Sequence, residues 1–215
     1  MKDVYIVSAY RTPVGKAYRG SLASKRPDDM CADVIKGLLK KTPAFDQSFI
    51  DDVVIGCAMP EAEQGMNVAR FALLLAGLPE SVPGMTINRF CSSGIQSIAI
   101  AWQQVRAGLA ECVLAGGTES MTMIPMMGHE VVGSRTIMAE HPEFYLGMGL
   151  TAENVAKDYH VSREDLDKFS LESHQKAVKA IEKGLFKEEI IPIDYEVRTL
   201  GEKGVVKAEK KTLSQ

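Results

Sequence analysis

Apolar positions along the chain follow two alternating periods. Val4–Tyr10, VYIVSAY, is rich in β-branched and aromatic residues and predicts a strand. DDMCADVIKGLLKKT follows, with Met30, Val34, Leu38 and Leu39 on one helical face and Asp28 and Asp29 at its head as N-cap residues. Asp51–Ala58 predicts a second strand. The stretch NVARFALLLAGLP is a helix apolar almost all round, a pattern that predicts burial on several sides, and Gly77 with Pro79 beyond it marks its end. A short strand at Met85–Asn88 precedes Ile95, Ile98, Ala99, Trp102 and Val105, whose spacing is again helical, with Gly108 as C-cap. Cys112–Ala115 is a continuous apolar strand, and Gly116-Gly117 reads as a tight, closely packed turn. Strand–helix alternation of this kind predicts an α/β layered sheet.

The pattern changes after Met121. MTMIPMMGHEVVGSRTIMAEHPEFYLGMGL has no steady period and is rich in Met, Gly and Pro, which predicts a long excursion with little regular structure. Helical spacing returns with Thr151 as the cap of AENVAKDYH. Ser162 and Asp165 form the outline of a capping box for a helix carrying Leu166, Phe169, Ser173, Ala177 and Ile181 down one side, with a stop near Gly184. A strand-like EIIPIDYEV and a hairpin through LGEKGVV finish the pattern. The division predicted is residues 1–121 as an α/β domain and residues 122–215 as a second, partly helical region.

Composition narrows the chemistry. The chain has 215 residues, 46% hydrophobic and 25% charged, with a net charge of −3, so no basic face argues for nucleic acid. The cluster Lys207, Lys210 and Lys211 reads as a solvated tail. Val4–Val7 is too short for a signal segment and no apolar run approaches a membrane span, which predicts a cytoplasmic protein without membrane contact. The cysteines at 31, 57, 91 and 112 include no C-x-x-C pair, and the histidines at 129, 141, 160 and 174 lie apart, so no metal site is expected.

Cys91 stands out by position. In NRFCSSG it follows a predicted strand and opens a predicted helix, where the first N–H groups lack intrahelical partners and the macrodipole places partial positive charge. A thiolate is stabilised there, and the thiolate is the nucleophile. Ser92, Ser93 and Gly94 are small enough to admit a substrate carbonyl, the Cys91 N–H is placed to face a developing oxyanion, and Gly94 suggests close approach of another element. From position alone a second reading stands beside this one: a cysteine that is simply a small buried hydrophobe. That structural reading is the one favoured for Cys31, Cys57 and Cys112.

NRFCSSG resembles the acyl-enzyme cysteine segment of thiolases, N-x-x-C-x-S-G. SAYRTPVGKAYRGSLA is similar to the family's R-T-P-x-G stretch, EQGMNVAR to its second helix entry, LAGGTESMT to the strand after the nucleophile helix, and MGLTAENVA to the loop-domain segment beside the coenzyme A site. The resemblance implies a thiolase-like layered α/β/α N-terminal domain with an inserted, partly helical loop domain. It implies an acyltransferase in which Cys91 is catalytic, Met148 lines the coenzyme A pocket, and acyl-CoA and CoA are substrates, with no covalently bound cofactor. It further implies a homodimer or homotetramer. Gly147, where some biosynthetic members carry histidine, leans toward the degradative type of fatty-acid β-oxidation.

The family's other catalytic motifs are not found. Gly128-His129 is followed by Glu130 rather than proline, no cysteine is followed by x-Gly, and no Asn-Glu-Ala-Phe occurs. Members carry these in a C-terminal half, and their N-terminal sheet is completed by a strand after the loop domain that nothing here matches. The expectation is an N-terminal portion of a thiolase, inactive alone. The alternatives are a non-catalytic assembly half and, less favoured by the motifs, a condensing enzyme of the ketoacyl-synthase type.

Overall fold

The computed structural model describes residues 2–200 and 206–214. They form two compact units, residues 1–129 with 189–215 and residues 130–188. Glu189 onward, grouped by composition with the Met-rich excursion, packs with the first unit, because Ile191 and Ile193 bury against Leu22 and Met30.

The first unit is built on three parallel strands in the order β2-β1-β3: β1 Asp52–Gly56, β2 Gly84–Ile87 and β3 Val113–Gly117. Val53 pairs with Gly84 on one side and Leu114 on the other. Alternate residues of a strand face opposite sides, and β1 uses both. Val53 and Ile55 point into a core with Cys31 and Ile35 of α1 (Pro27–Lys41) and Ala69, Ala72 and Leu73 of α2 (Val68–Ala76). Gly56 faces the other way, onto the start of α3 (Ser93–Ala107). The result is the layered α/β arrangement that the alternating periods predict.

Local details depart from expectation in instructive ways. Helix α1 starts one residue early, at Pro27, whose missing N–H and fixed φ suit the first turn; Asp28 and Asp29 lie inside that turn, not at the cap. Helix α2 ends at Gly77 (φ 85°) and α3 at Gly108 (φ 76°), both left-handed C-caps as read from the sequence. Its all-round apolarity does not bring all-round burial: Val68, Ala69, Ala72 and Leu73 are buried, while Phe71, Leu74 and Leu75 are exposed. On α3 the buried residues are Ser93 and Ser97, and the apolar Ile95, Ile98 and Trp102 face outward.

At the predicted Val4–Tyr10 no strand forms. A strand needs a neighbour to satisfy its backbone groups, and among the described residues this segment meets one only past its end, at Arg11, which bridges Ile190 in parallel through Arg11 N–H to Glu189 O (2.9 Å) and Ile191 N–H to Arg11 O (2.9 Å). Tyr5, Ile6 and Val7 are 77%, 79% and 89% exposed. This segment, β3 and the Ile98–Trp102 side of α3 line a cavity of about 1650 Å³. Beyond the sheet, β4 (Ile193–Leu200) and β5 (Val206–Leu213) form an antiparallel pair with Ile193 opposite Leu213. The predicted hairpin turn between them lies outside the described residues.

The second unit holds three helices: α4 Arg135–Glu140, α5 Met148–Asp158 and α6 Arg163–Glu182. The Met-rich excursion therefore carries one short helix, capped by Ser134, whose hydroxyl accepts the Ile137 N–H. Helix α5 opens at Met148 with extended Gly147 as its cap, so Thr151 lies within the helix rather than capping it. Helix α6 has the predicted capping box: Asp165 N–H donates to Ser162 Oγ (3.1 Å) and Ser162 N–H to Asp165 Oδ2 (3.2 Å).

Candidate functional site

The three parallel strands end together, and the loops leaving their carboxyl ends form the site. Strand β2 ends at Ile87 and α3 begins at Ser93, so only five residues, Asn88–Ser92, make the connection. The last three, Phe90–Ser92, form a turn of 3-10 helix that runs directly into α3. Cys91 sits in that turn and is exposed. The reading of Cys91 as a buried hydrophobe is therefore overturned, while its place between strand and helix is as expected.

The turn is tightly cross-linked. Phe90 has φ 47°, a left-handed conformation rare for a bulky side chain. Asn88 Oδ1 accepts the Phe90 N–H (2.8 Å), Ser93 Oγ accepts the Arg89 N–H (2.8 Å) and donates to Phe90 O (2.7 Å), and Ser92 Oγ donates to Arg89 O (2.9 Å).

Two glycines seat this turn on the sheet. A Cβ on Gly56 would lie 2.4 Å from the Ser93 carbonyl carbon and 2.7 Å from Gly94 N. A Cβ on Gly117 would lie 3.2 Å from Gly56 O and 3.5 Å from the Gly94 Cα. Gly116 and Gly117 are thus strand residues and not a turn; the close packing predicted is found at Gly117, which lets α3 approach, whereas a Cβ on Gly116 would meet only Ile55 Cδ1 at an ordinary 3.8 Å. Gly94 is the opposite case. Among the described residues nothing lies within 4 Å of the Cβ it lacks, so its small size leaves open space beside Cys91 rather than room for another element. Ser97 Oγ, fully buried, lies 2.7 Å from Gly94 O and 2.8 Å from Gly116 O, tying the helix to β3.

A second network joins the other strand ends. Gln64, fully buried, donates from Nε2 to Met59 O (2.9 Å) and Glu119 Oε1 (2.7 Å), and its Oε1 accepts the Ser120 N–H (2.5 Å). Glu119 Oε2 also accepts the Ala58 N–H (2.6 Å). The loops after β1 and β3 are thereby stitched through one side-chain amide and one carboxylate. Sequence reasoning passed over Gln64, Glu119 and Asn88 individually, and it read Ser93 as a small residue admitting a substrate carbonyl, whereas that side chain is buried and bonded to backbone. The available signal was polar residues at strand ends, where backbone groups need partners.

The remaining cysteines differ from Cys91. Burial pushes the Cys31 thiol up to about 12, with the Asp28 carboxylate adding to it. Burial likewise pushes Cys57 up to about 12, with help from Glu119, and raises Cys112. All three are held as neutral thiols at neutral pH. Met148 is exposed at the first position of α5, in the unit of residues 130–188, whereas Cys91 belongs to the other unit. His129 donates its backbone N–H to Glu61 Oε1. Among the described residues no cluster of His, Cys, Asp and Glu suits a metal ion, and no helix is long and apolar enough to cross a membrane.

Comparison with known proteins fits this geometry. Residues 4–214 match the family profile described as thiolase, N-terminal domain. The chain is 52% identical over 202 residues to the 3-ketoacyl-CoA thiolase of Bacillus subtilis, covering 94% of this chain and 51% of that protein. It is 43% identical over 208 residues to the beta-ketoadipyl-CoA thiolase of Pseudomonas aeruginosa, covering 89% and 52% respectively. It is 40% identical over 209 residues to the 3-oxoadipyl-CoA/3-oxo-5,6-dehydrosuberyl-CoA thiolase of Escherichia coli, covering 90% and 52%. The chain spans about half the length of the curated relatives it matches. With a profile match over nearly its whole length and an exposed cysteine on a strand-to-helix turn at the carboxyl ends of a parallel sheet, this chain belongs to the thiolase family, matching its N-terminal domain.

Proposed function

We propose that Cys91 is the acyl-carrying nucleophile of a thiolytic acyl transfer. Its thiolate attacks the keto carbon of a 3-ketoacyl-CoA, and the carbon–carbon bond to the neighbouring methylene breaks. The electron pair of that bond leaves as the enolate of acetyl-CoA, which takes up a proton. The acyl group remains as a thioester on Cys91 until the sulfur of CoA attacks it, releasing a shortened acyl-CoA and restoring the thiolate. This is covalent catalysis in two half-reactions, and the reverse sequence is the condensation. CoA is a substrate here, and Met148 lines its pocket. The single observation that carries the reading is the exposed sulfur on a strained strand-to-helix turn, beside the open space left by Gly94.

The reading extends to a cytoplasmic enzyme of degradative type, acting in β-oxidation as a homodimer or homotetramer. The base that activates Cys91 and the acid that protonates the enolate, a role worth about 10²–10⁴ in rate, come from polypeptide matching the other half of the relatives. The exposed Ile95, Ile98 and Trp102 on α3 favour a second description of the same chain, as an assembly half that is inert by itself.

Two measurements test this. Iodoacetamide near neutral pH is expected to label Cys91 ahead of Cys31, Cys57 and Cys112, read by peptide mass spectrometry. Equal labelling of all four removes the nucleophile. The 215-residue chain alone is expected to give no sustained thiolysis of acetoacetyl-CoA, and steady turnover refutes the claim that its catalytic set is completed elsewhere.

A further inference from the structure

We infer that Ser93 is a positioning residue: its buried hydroxyl clamps the strained Phe90 turn and thereby holds Cys91 at the head of α3. The inference rests on the reading of Cys91 as nucleophile for its functional meaning, and on geometry for its substance.

The turn has a problem to solve. Five residues must reverse the chain from the end of β2 to the start of α3, and they do so by placing Phe90 at φ 47°. A left-handed non-glycine residue costs about 1–3 kcal/mol and persists only where its surroundings over-determine it. The hydrogen bonds that do so converge on two side chains. Asn88 Oδ1 takes the N–H of Phe90 itself. Ser93 Oγ takes the N–H of Arg89 and gives its own hydrogen to the carbonyl of Phe90. One oxygen atom therefore grips the backbone on both sides of the strained residue, from three positions downstream.

A hydroxyl is suited to this task because it donates and accepts at one atom. Alanine supplies neither bond. Ser93 is 3% exposed and lies directly over Gly56, so water does not easily take the hydroxyl's place. Cys91 directly follows the clamped Phe90 in the turn that runs into the helix. If Phe90 relaxes toward negative φ, the 3-10 turn unwinds and the sulfur leaves its exposed place at the head of α3. Asn88, being exposed, holds only one end of the strained residue and contributes less.

The test uses Ser93→Ala in the whole chain, with Asn88→Ala as the second variant at an exposed position. Three quantities are read: the rate of Cys91 alkylation by iodoacetamide at pH 7, the backbone chemical shifts of Phe90, and the melting temperature. In Ser93→Ala, alkylation at pH 7 is expected to fall about tenfold. Phe90 is expected to lose its left-handed shifts. In Asn88→Ala the fall is about threefold. A general loss of stability alone moves the melting temperature and leaves the Phe90 shifts and the alkylation rate of the folded protein unchanged, so an unchanged rate with unchanged Phe90 shifts overturns the inference. The two readings fail separately. Ordinary free-cysteine reactivity in the unmodified protein sinks the nucleophile, whereas left-handed Phe90 in Ser93→Ala sinks the clamp. Should Ser93→Ala not fold, Ser93→Gly, which also removes the hydroxyl, is read in its place, and left-handed Phe90 shifts with native alkylation there overturn the clamp equally.

Discussion

Replacing Gly56 by alanine adds one methyl group where α3 rests on the sheet. The new Cβ would sit 2.4 Å from the Ser93 carbonyl carbon, 2.5 Å from Ser93 O and 2.7 Å from Gly94 N, where ordinary contacts begin at 3.4 Å. All three opposing atoms are backbone, so no side chain can rotate away. Relief requires the head of α3 to lift by about 1 Å, and overpacking of this kind costs typically about 1–3 kcal/mol. For a chain of this size each kcal/mol lowers Tm by roughly 2–4 °C. The displacement falls on the segment that carries Cys91, so its alkylation rate should drop together with Tm. Gly94→Ala is the matched control. It places a methyl group in open space within a helix, where alanine is favoured by about 1 kcal/mol, so Tm should hold or rise. Urea melts of both variants decide the matter. A Gly56→Ala protein with unaltered midpoint, or a Gly94→Ala protein that loses as much as Gly56→Ala, refutes the seating described for α3.

Two further outcomes follow from titrating groups and caps. Cys31 is neutral when folded, with its thiol pushed up to about 12 by burial, whereas the unfolded thiol ionises near roughly 8.5. The stabilising difference is whole below the unfolded value and is lost as pH rises toward the folded one, at about 1.4 kcal/mol per pH unit. Urea midpoints should therefore fall through this alkaline window, and Cys31→Ala should fall less steeply; parallel slopes count against the buried thiol. In the second unit, Ser162→Ala removes half of the α6 capping box and is expected to cost about 1 kcal/mol. Its hydrogen bonds hold the Asp165 carboxyl below its usual value, so the contribution is present above the unfolded carboxyl value and fades as pH falls through the lower folded one. Helical ellipticity that is insensitive to Ser162→Ala at pH 7 contradicts the box.

Much of this was readable from residue types alone, and the reasons are specific. Gly77 and Gly108 end helices because each stands alone after an apolar periodic run, where a left-handed residue is needed. Ser162 and Asp165 mark a start because their reciprocal bonds are local. Val4–Tyr10 was misjudged because strand formation belongs to a pair, and composition reports only one member. Gly116-Gly117 suggested a turn because freedom of φ is the commoner use of glycine; here neither is left-handed, and the feature that matters is the backbone that the missing Cβ of Gly117 lets pass. The inward face of α3 was hidden for a related reason. Its buried surface is made of Ser93 and Ser97, each bonded to backbone, and a hydrophobic pattern cannot register serines that are inside. At the site, the strand-to-helix placement of Cys91 was legible from order along the chain. The clamp around it depends on one φ angle that no periodicity encodes.

Strand β3 pairs with β1 on one side, and among the described residues no strand pairs with its other side. A row of amides and carbonyls with a roomy hollow next to it is a template for any extended peptide of suitable side-chain alternation. Concentrated solutions of the chain should therefore turn cloudy through sheet-to-sheet growth well before their charge balance would suggest, and short arginine- or lysine-flanked peptides that occupy the hollow should keep them clear.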